Sequence, residues 1–303
     1  MTVSRVIEAD TAHRVIKHAI IQSRPFKGRR AQNLAAFRQA LEELRDAGER
    51  PDIVVLPEGA FTGYFLQGGV RELAVTAEHF AQELTEATSG VWDGPLDIIA
   101  GFYEQYDEDH YNSGLYLQLG GDGAGIRHVH RKVFLPTYGV FDEERFMSRG
   151  NRFDAFPTRF GKVAMLICED AWHSISGTIA ALHGAGIIYI LNASPVRGLE
   201  SSEPSNAAYW RNLVRGIAAE HGVFTVLASL VGFEGGKALT GASMLAHPDG
   251  HVIVEAPALD DACIVADVNL DALQAARYDN PLLADLRNTL PMVLPSLAEA
   301  VRK

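Results

Sequence analysis

Two patterns of hydrophobic positions alternate along the chain. Short runs that are apolar at nearly every position indicate buried strands, and longer segments with apolar residues every three or four positions indicate helices. In the first third of the chain the pattern predicts strands in HAIIQSRP, PDIVVLPEG and LDIIAGFYE, and helices in GRRAQNLAAFRQALEELRDAGE and VRELAVTAEHFAQELTEAT. Their order predicts a βαβ unit at the start of the fold.

The rest of the chain continues this alternation and adds two hairpins. The pattern predicts strands in GKVAMLICED, IIYILNASP and VFTVLASLVG, and helices in ISGTIAALHGAG and SNAAYWRNLVRGIAAEHG. Residues 112–136 alternate on both sides of a Gly-rich centre, which is typical of a hairpin with a long loop. Residues 241–258 predict a second hairpin with Asp249-Gly250 as its turn.

These elements predict an α/β protein with mixed sheets. Strands that are apolar on both faces need cover on both faces, so helices are expected to pack outside the sheets, and the hairpins make the sheets mixed. A chain of 303 residues can form one large α/β domain. We predict that residues 1–269 form this domain and that residues 270–303, with three prolines, add a helix and an extended arm to it.

Charge and hydropathy narrow the choice of partners. The formal net charge of -11 would repel nucleic-acid phosphates. No uninterrupted apolar run reaches the roughly 18 residues that a membrane-spanning helix needs. The start of the chain, MTVSRVIEADTAH, lacks the organisation of a signal peptide. We therefore expect a cytoplasmic protein that binds neither nucleic acid nor a membrane and acts on a small neutral or zwitterionic molecule.

The cysteines and histidines predict neither a disulfide framework nor a metal centre. Both cysteines, Cys168 and Cys263, are expected to be free thiols, and Cys263 is expected to be a small buried side chain on a strand. Among the histidines, His128 and His130 share one face of a predicted strand and His173 follows a Trp, but no further ligand cluster completes a site. We predict no metal and no cofactor.

Three strands each deliver a polar residue at the carboxyl end. The three segments are IVVLPEGAF with Glu58, VHRKVFLP with Lys132 and VAMLICEDAW with Cys168. The carboxyl ends of strands in α/β sheets are where ligands bind. If the three strands are neighbours, a carboxylate, an ammonium group and a thiol therefore meet in one site.

This trio has the chemistry that amide hydrolysis needs. The reaction requires a nucleophile, a group that accepts and returns a proton, and a donor for the developing oxyanion. Cys168, Glu58 and Lys132 can fill these roles in that order, with the backbone N–H of Glu169 as a second oxyanion donor. We expect extended backbone at Cys168, which would turn the Glu169 side chain away from the sulfur. Asp170 is expected to cap the helix that follows.

The same motifs resemble those of the nitrilase, or carbon-nitrogen hydrolase, family. The separations of 74 residues (132 minus 58) and 36 residues (168 minus 132) are similar to the layout of that family, and the resemblance runs from about residue 18 to 266. RKVFLPTYGVFDEERF and CEDAWH look most like the glutamine-hydrolysing domain of NAD synthetases, whereas nitrilases usually carry Cys-Trp-Glu at the nucleophile. The matching pairs are Pro57-Glu58 with Gly63-Tyr64, Arg131-Lys132 with Leu135-Pro136, and Cys168-Glu169.

The resemblance implies a second catalytic glutamate that follows Lys132. We assign this position to Glu143, with Glu144 of the same FDEERF segment as the alternative. Arg197 could hold a substrate carboxylate, although a surface position is the expected one. Aromatic side chains can provide an apolar wall and one hydrogen bond to a small polar amide. Five residues are predicted to line the substrate pocket: Tyr64, Tyr138, Glu169, Trp172 and Ser194.

The resemblance also implies a four-layer αββα sandwich, with two mixed sheets face to face and helices outside, and a homodimer or higher homo-oligomer. The leading hypothesis is hydrolysis of a small amide through a thioester on Cys168, which releases ammonia or an amine and a carboxylic acid. Three alternatives stay open. They are a glutaminase-like subunit that supplies ammonia to a separate synthetase, a nitrilase, and a catalytically silent interaction protein.

Overall fold

The computed structural model describes residues 15–197 and 205–302. The features considered at the start of the chain, in residues 1–13, lie outside the described residues. The first of two six-stranded sheets contains β1 (Val15–Gln22), β2 (Ile53–Val55), β3 (Leu96–Tyr106), β4 (Asp109–Leu119), β5 (Gly125–Arg131) and β14 (Ala262–Asn269). Its order is β14-β1-β2-β3-β4-β5. The strands β1, β2 and β3 are parallel, and the other neighbours are antiparallel.

The second sheet has the same mixture of parallel and antiparallel strands. It contains β6 (Ala155–Thr158), β7 (Gly161–Ile167), β8 (Ile187–Asn192), β9 (Phe224–Ser229), β12 (Met244–Ala246) and β13 (Val252–Glu255) in the order β13-β12-β9-β8-β7-β6. Here β7, β8 and β9 are parallel. The strands β10 (Val231–Glu234) and β11 (Lys237–Thr240) form a separate antiparallel ribbon.

The helices lie outside the two sheets. They are α1 (Arg30–Asp46), α2 (Val70–Leu73), α3 (Ala77–Thr88), α4 (Glu169–Trp172), α5 (Ser174–Leu182), α6 (Ser205–His221), α7 (Asp271–Asp279) and α8 (Leu282–Ala300). Two short 3₁₀ turns cover Gln67–Gly69 and Glu143–Arg145. In the part of the chain that the structure describes, no helix is long and apolar enough to cross a bilayer.

The core has three main layers, because each sheet is buried on both faces, and a fourth, smaller cluster lies beside the β10–β11 ribbon. Consecutive residues of a strand face opposite sides of the sheet. In β2, Val54 packs under α1 and α3, whereas Ile53 and Val55 face the other sheet. In β7, Met165 joins the layer between the sheets and Leu166 packs under α6. The predicted α/β sandwich of two mixed sheets with outer helices is confirmed.

Three local predictions are wrong. The single helix predicted in VRELAVTAEHFAQELTEAT is divided into α2 and α3. Val75 interrupts it by forming backbone hydrogen bonds with β3. Thr76 then caps α3, because its side chain accepts a hydrogen bond from the N–H of His79 at 3.2 Å. Cys263 is exposed, because β14 is the edge strand of its sheet. The third error is the extended arm at the C-terminus.

The segment that was expected to be extended is the helix α8, which continues through Pro291 and Pro295. Each proline lacks the N–H that would bond to the carbonyl four residues earlier. The two carbonyls left free, at 287 and 291, lie on the same side of the helix and on exposed residues, where water can bind them. The prolines therefore do not end the helix, as the sequence pattern had suggested.

Candidate active site

The carboxyl ends of three strands bring the predicted trio together. Glu58 follows β2 by three residues, Lys132 comes directly after β5, and Cys168 directly after β7. Glu58 and Lys132 are 0% exposed and Cys168 is 5% exposed. Charged groups in such an enclosed site interact more strongly than they would in water.

A glycine on the neighbouring strand allows Glu58 to occupy its position. A Cβ atom at Gly101 of β3 would lie only 2.5 Å from the Cα of Glu58. The N–H of Gly101 donates to the carbonyl oxygen of Pro57 at 3.1 Å. The backbone before Glu58 therefore lies directly against β3, an approach that a side chain at residue 101 would prevent.

Lys132 is held between two buried carboxylates. Its Nζ lies 2.9 Å from Oε1 of Glu58 and 2.8 Å from Oε1 of Glu143. Asn112 donates to the same oxygen of Glu58 at 2.7 Å, and the hydroxyl of Tyr64 donates to Oε1 of Glu143 at 2.6 Å. The structure thus places Glu143, and not its neighbour, beside Lys132.

Glu144, the alternative to Glu143, lies at the surface. It accepts a hydrogen bond from the hydroxyl of Thr137 at 3.0 Å and forms an ion pair with Arg149. The short 3₁₀ turn from Glu143 to Arg145 explains the difference, because consecutive side chains of a turn point in different directions. The sequence-based choice of Glu143 agrees with this geometry.

The charges of this cluster depend on each other. Burial raises the pKa of Glu143 to about 7, although the ammonium group of Lys132 opposes the rise. Burial lowers the pKa of Lys132, but the carboxylates of Glu143 and Glu58 outweigh that effect and hold it well above its ordinary value. Lys132 is therefore a cation at neutral pH, and the carboxyl of Glu143 is poised to gain or lose a proton.

Cys168 occupies a sharp turn between β7 and α4. Its backbone has φ 46° and ψ -101°, in a region that costs a residue with a side chain about 1–3 kcal/mol. The N–H of Cys168 donates to the carbonyl oxygen of Leu191 on β8 at 2.8 Å. The extended backbone expected at this position is therefore wrong, because the chain turns directly into α4.

The environment of Cys168 keeps the thiol protonated. Burial raises the pKa of the thiol well above its usual value, and the negative charge of Glu58 adds to this rise. Lys132 and a hydrogen bond with the backbone of Ala193 act in the opposite direction but do not outweigh burial. A reaction at this sulfur therefore requires a nearby base.

Asp170 does not cap a helix as predicted, because its carboxylate accepts hydrogen bonds from groups outside α4. It is fully buried, and both of its oxygens accept hydrogen bonds from the segments on either side of the site. These bonds join the chain that follows Lys132 to the end of β7. The four donors are Val133 N at 3.0 Å, Phe134 N at 2.9 Å, Ile167 N at 3.1 Å and His130 Nε2 at 2.9 Å.

A cavity of about 220 Å³ opens over Cys168. Four of the five predicted pocket residues line it, and the hydroxyl of Tyr138 donates to the carboxylate of Glu169 at 2.9 Å. Arg197 is exposed, as expected, and it also lines this cavity and hydrogen-bonds to Tyr138. The predicted residues in the wall are Tyr138, Glu169, Trp172 and Ser194.

Tyr64 lies elsewhere. It lines a neighbouring cavity of about 420 Å³ together with Glu143, and Phe141 borders both cavities. The backbone N–H of Tyr64 donates to Oε2 of Glu234, a buried acid of the β10–β11 ribbon, at 2.8 Å. The contact of Tyr64 with Glu143 makes it a neighbour of the charged cluster, not a wall of the Cys168 cavity.

Sequence reasoning missed several residues of this region. Asn112 pairs with Lys132 across a β4–β5 hairpin, where the N–H of Lys132 donates to the carbonyl oxygen of Asn112 at 2.8 Å. Only the register of that hairpin could have indicated Asn112. The helix α6 contributes three further residues to the Cys168 cavity: Asn206, Tyr209 and Trp210.

The histidines considered for a metal site have other contacts. His130 bonds to Asp170, the ring of His128 stacks on Phe156 at 4.3 Å, and the ring of His173 stacks on Phe134 at 3.7 Å. The expectation that the protein binds no metal stays a prediction.

Comparison with known proteins gives one family. The sequence model described as Carbon-nitrogen hydrolase matches residues 17–278. A glutamine-dependent NAD(+) synthetase of Rhodobacter capsulatus is 32% identical over 256 residues, which cover 84% of this chain and 43% of that protein. An N-carbamoylputrescine amidase of Arabidopsis thaliana is 27% identical over 278 residues, which cover 86% of this chain and 89% of the relative. The chain therefore spans less than half the length of the synthetase.

Solved structures agree on the fold. A carbon-nitrogen hydrolase from Helicobacter pylori has a TM-score of 0.77 at 22% identity, with 91% of this chain and 98% of that chain covered. Nit3 of Saccharomyces cerevisiae has a TM-score of 0.75 at 21% identity, with 89% and 95% covered. With the family match over most of its length, this chain belongs to the carbon-nitrogen hydrolase family.

Proposed function

We propose that this protein hydrolyses the C–N bond of a small amide through a thioester on Cys168. The observation that carries the proposal is the buried cluster of Glu58, Lys132 and Glu143 next to a protonated thiol that lines a cavity. Nucleophilic catalysis by a thiol needs a base, and oxyanion stabilisation needs a donor, and this cluster offers both.

Glu58 is the proposed base. One of its oxygens, Oε1, is held by Lys132 and Asn112. Within the described residues, the other oxygen, Oε2, is buried and has no hydrogen-bond partner. A buried acceptor without a donor is costly, and the thiol proton of Cys168 could satisfy it as the sulfur attacks the carbonyl carbon of the substrate.

Lys132 is the proposed oxyanion donor. An ammonium group has three N–H donors, and Glu58 and Glu143 take two of them. The third is left for the substrate oxygen as it becomes negative, and the N–H of Glu169, at the start of α4, is the proposed second donor. Loss of one such donor typically raises the barrier by about 3 kcal/mol.

The proton then returns through the same carboxyl group. Glu58 gives its proton to the nitrogen of the leaving group, the C–N bond breaks, and ammonia or an amine departs while the acyl group stays on Cys168. Glu58 next takes a proton from water, whose oxygen attacks the thioester. The acid is released and the sulfur recovers its proton. Glu143 is proposed to position Lys132 throughout.

The walls of the Cys168 cavity favour a small polar substrate. A carboxylate (Glu169), a guanidinium group (Arg197) and aromatic rings border a volume of about 220 Å³. The pair of opposite charges suits a zwitterionic amide. Glutamine hydrolysis, with ammonia passed to a separate synthetase, is therefore the second candidate, supported by the 32% identity to a glutamine-dependent NAD(+) synthetase. The similarity to an N-carbamoylputrescine amidase supports N-carbamoyl amines as a further class.

Intact-mass analysis after mixing with a panel of compounds tests the mechanism. The panel contains glutamine, an N-carbamoyl amine, simple amides and nitriles. We expect an acyl adduct with one of the amides, absent in Cys168→Ala, and no turnover in Glu58→Gln. Consumption of nitriles alone would favour a nitrilase. No adduct and no product with any compound would favour a silent interaction protein.

Glu143→Gln and Glu144→Gln form a matched pair for the second glutamate. Because Glu143 contacts Lys132 and Glu144 is at the surface, we expect only the first substitution to lower the rate. If the substrate is glutamine, ammonia release should rise when the accepting synthetase is added.

Self-association in the cytoplasm is also proposed. The helix α8 carries several exposed apolar side chains, including Met292 and Leu297, and only Leu283 of α8 is buried. An apolar helix face of this kind is typical of an interface. Sedimentation or light scattering should give at least a dimer; a monomer at micromolar concentration would contradict the proposal.

A further inference from the structure

The turn between β12 and β13 lies far from Cys168. Its sequence is HPDGH, residues 247–251. β12 runs antiparallel to β9, which is parallel to β7 and β8. The carboxyl end of β12 therefore lies beside the amino ends of those three strands. The ring of His247 contacts Phe224, the first residue of β9, at 5.5 Å between centroids. Cys168 follows the opposite end of β7.

Three side chains of this turn point at one place. The Oδ1 atom of Asp249 lies 3.1 Å from Nδ1 of His247 and 2.6 Å from Nδ1 of His251. The two imidazole rings stack with centroids 4.5 Å apart. One ligand atom from each residue lies within 4.8 Å of the other two. No other group of three such residues meets this criterion in the described part of the chain.

The backbone fixes this arrangement before any ligand arrives. The N–H of His247 donates to the carbonyl oxygen of His251 at 2.9 Å, and the N–H of Gly250 donates to the carbonyl oxygen of His247 at 2.8 Å. The N–H of His251 donates to Oδ1 of Asp249 at 2.9 Å, and the N–H of Asp249 donates to Nδ1 of His247 at 3.3 Å, a long bond that a metal ion at this nitrogen would replace. Because the turn is closed by these bonds, little conformational freedom remains to be lost when a ligand binds.

Contrary to the sequence-based expectation of no metal, we propose that His247, Asp249 and His251 bind a divalent transition-metal ion of the Zn²⁺ or Ni²⁺ class. Two imidazoles and one carboxylate are the ligand types that such ions prefer over Mg²⁺ or Ca²⁺. With metal–ligand bonds of about 2.1 Å, neighbouring ligand atoms lie about 3.4 Å apart in a tetrahedral site and about 3.0 Å apart in an octahedral site. The 3.1 Å pair is close to the octahedral separation, and the 2.6 Å pair must open by a small rotation of the exposed ring of His251 to fit either geometry.

The bound ion would join the ends of β12 and β13. His247 follows β12 and His251 precedes β13, so one metal ion links both strands of the hairpin. An ion that binds the folded chain and not the unfolded one raises the temperature of unfolding. Since the turn is at the sheet edge opposite Cys168, we expect no change in the reaction at Cys168.

Calorimetric titration of the tag-free chain with Ni²⁺ tests the proposal. The variants are His251→Ala and Asp249→Asn; both residues are exposed, so neither change removes core packing. His79→Ala is the matched control, because His79 is an exposed histidine with a single carboxylate, Glu83, at 3.6 Å. We expect wild type and His79→Ala to bind one ion that both turn variants bind at least about tenfold more weakly.

Thermal unfolding with Zn²⁺ gives a second measurement. Zn²⁺ should raise the unfolding temperature of wild type and His79→Ala but not of His251→Ala. Cys168 can also take Zn²⁺, so the assignment rests on the binding that is lost with His251→Ala. Absence of Ni²⁺ binding, or equal affinity in wild type and both turn variants, would show a hydrogen-bonded turn only and overturn the proposal.

Discussion

Replacing Asp170 by Asn tests whether one buried carboxylate aligns the two segments that carry Lys132 and Cys168. Oδ1 accepts from the N–H groups of Val133 and Phe134, and Oδ2 accepts from Ile167 N and His130 Nε2. An amide has one oxygen and one NH₂ group, so it cannot accept from both pairs. Asp170→Asn keeps the shape of the side chain and changes only this capacity.

The best orientation of the new amide sets the size of the effect. In that orientation the amide nitrogen takes the place of Oδ2 and faces His130 and the N–H of Ile167. His130 can change its tautomer and accept a hydrogen bond from the amide, so only the N–H of Ile167 loses its partner. One unpaired buried donor costs about 1–3 kcal/mol, and the two remaining bonds lose their charge assistance. We expect about 3 kcal/mol of lost stability. With about 2.1 cal/mol/K per residue over 303 residues, the unfolding temperature should fall by about 5 °C.

Activity should fall as well, because a displacement of about 1 Å at a catalytic group can cost about a hundredfold in rate. Calorimetry gives the unfolding temperature, and ammonia release gives kcat. Asp142→Asn is the control, since Asp142 is an exposed acid on the loop before Glu143. An Asp170→Asn protein that unfolds within about 1 °C of wild type and keeps its full kcat would refute this role for the carboxylate.

Three further substitutions test the charged cluster. Lys132→Met should lower kcat about a hundredfold or more, since one oxyanion donor is worth about 3 kcal/mol; ammonia release at the wild-type rate would contradict its assignment. Tyr64→Phe removes the hydroxyl 2.6 Å from Oε1 of Glu143 and should lower kcat about tenfold, whereas Tyr103→Phe, which loses a bond to a backbone carbonyl, should change it little. Burial raises the pKa of Glu143 from 4.5 to about 7, so between these values the folded chain holds a proton that the unfolded chain has released. Stability from this group is therefore greatest below about pH 4.5 and is lost as the pH rises to about 7. The free energy of unfolding of Glu143→Gln, measured by denaturation at several pH values, should not show this decrease. The same pH dependence in both proteins would contradict the raised pKa of Glu143.

The sequence predicted the parts of the site that lie at strand ends. Glu58, Lys132 and Cys168 each come at or just after the carboxyl end of an apolar strand, and the structure brings them together. The three residues meet although their strands are not neighbours, since β3 and β4 separate β2 from β5 and β7 belongs to the second sheet. The order of elements indicated which end of each strand carries the polar residue. The packing of one sheet on the other, which the pattern does not show, brings the three ends together. Family resemblance, and not pattern, supplied Glu143.

Hydrogen-bond partners across the fold were beyond sequence reasoning. Asn112 reaches Glu58 because of the register of a hairpin with a long loop, and that register depends on turn geometry. Asp170 was predicted to be a helix cap because its position in the sequence fits one, but its four donors come from segments up to 40 residues away. Cys263 was expected to be buried because apolar and polar residues alternate in β14. That alternation distinguishes the two faces of the strand, but it does not show that β14 is an uncovered edge strand.

The close approach at Gly101 limits how this member of the carbon-nitrogen hydrolase family can be stabilised. Replacing glycine by alanine commonly stabilises a protein where alanine can adopt the native backbone conformation without strain, because the substitution restricts the unfolded chain. At residue 101 the added methyl group would push against the backbone of Glu58, where a Cβ would lie 2.5 Å from Cα. A thermostability library that replaces glycines without regard to position would therefore, at residue 101, displace Glu58, the proposed base.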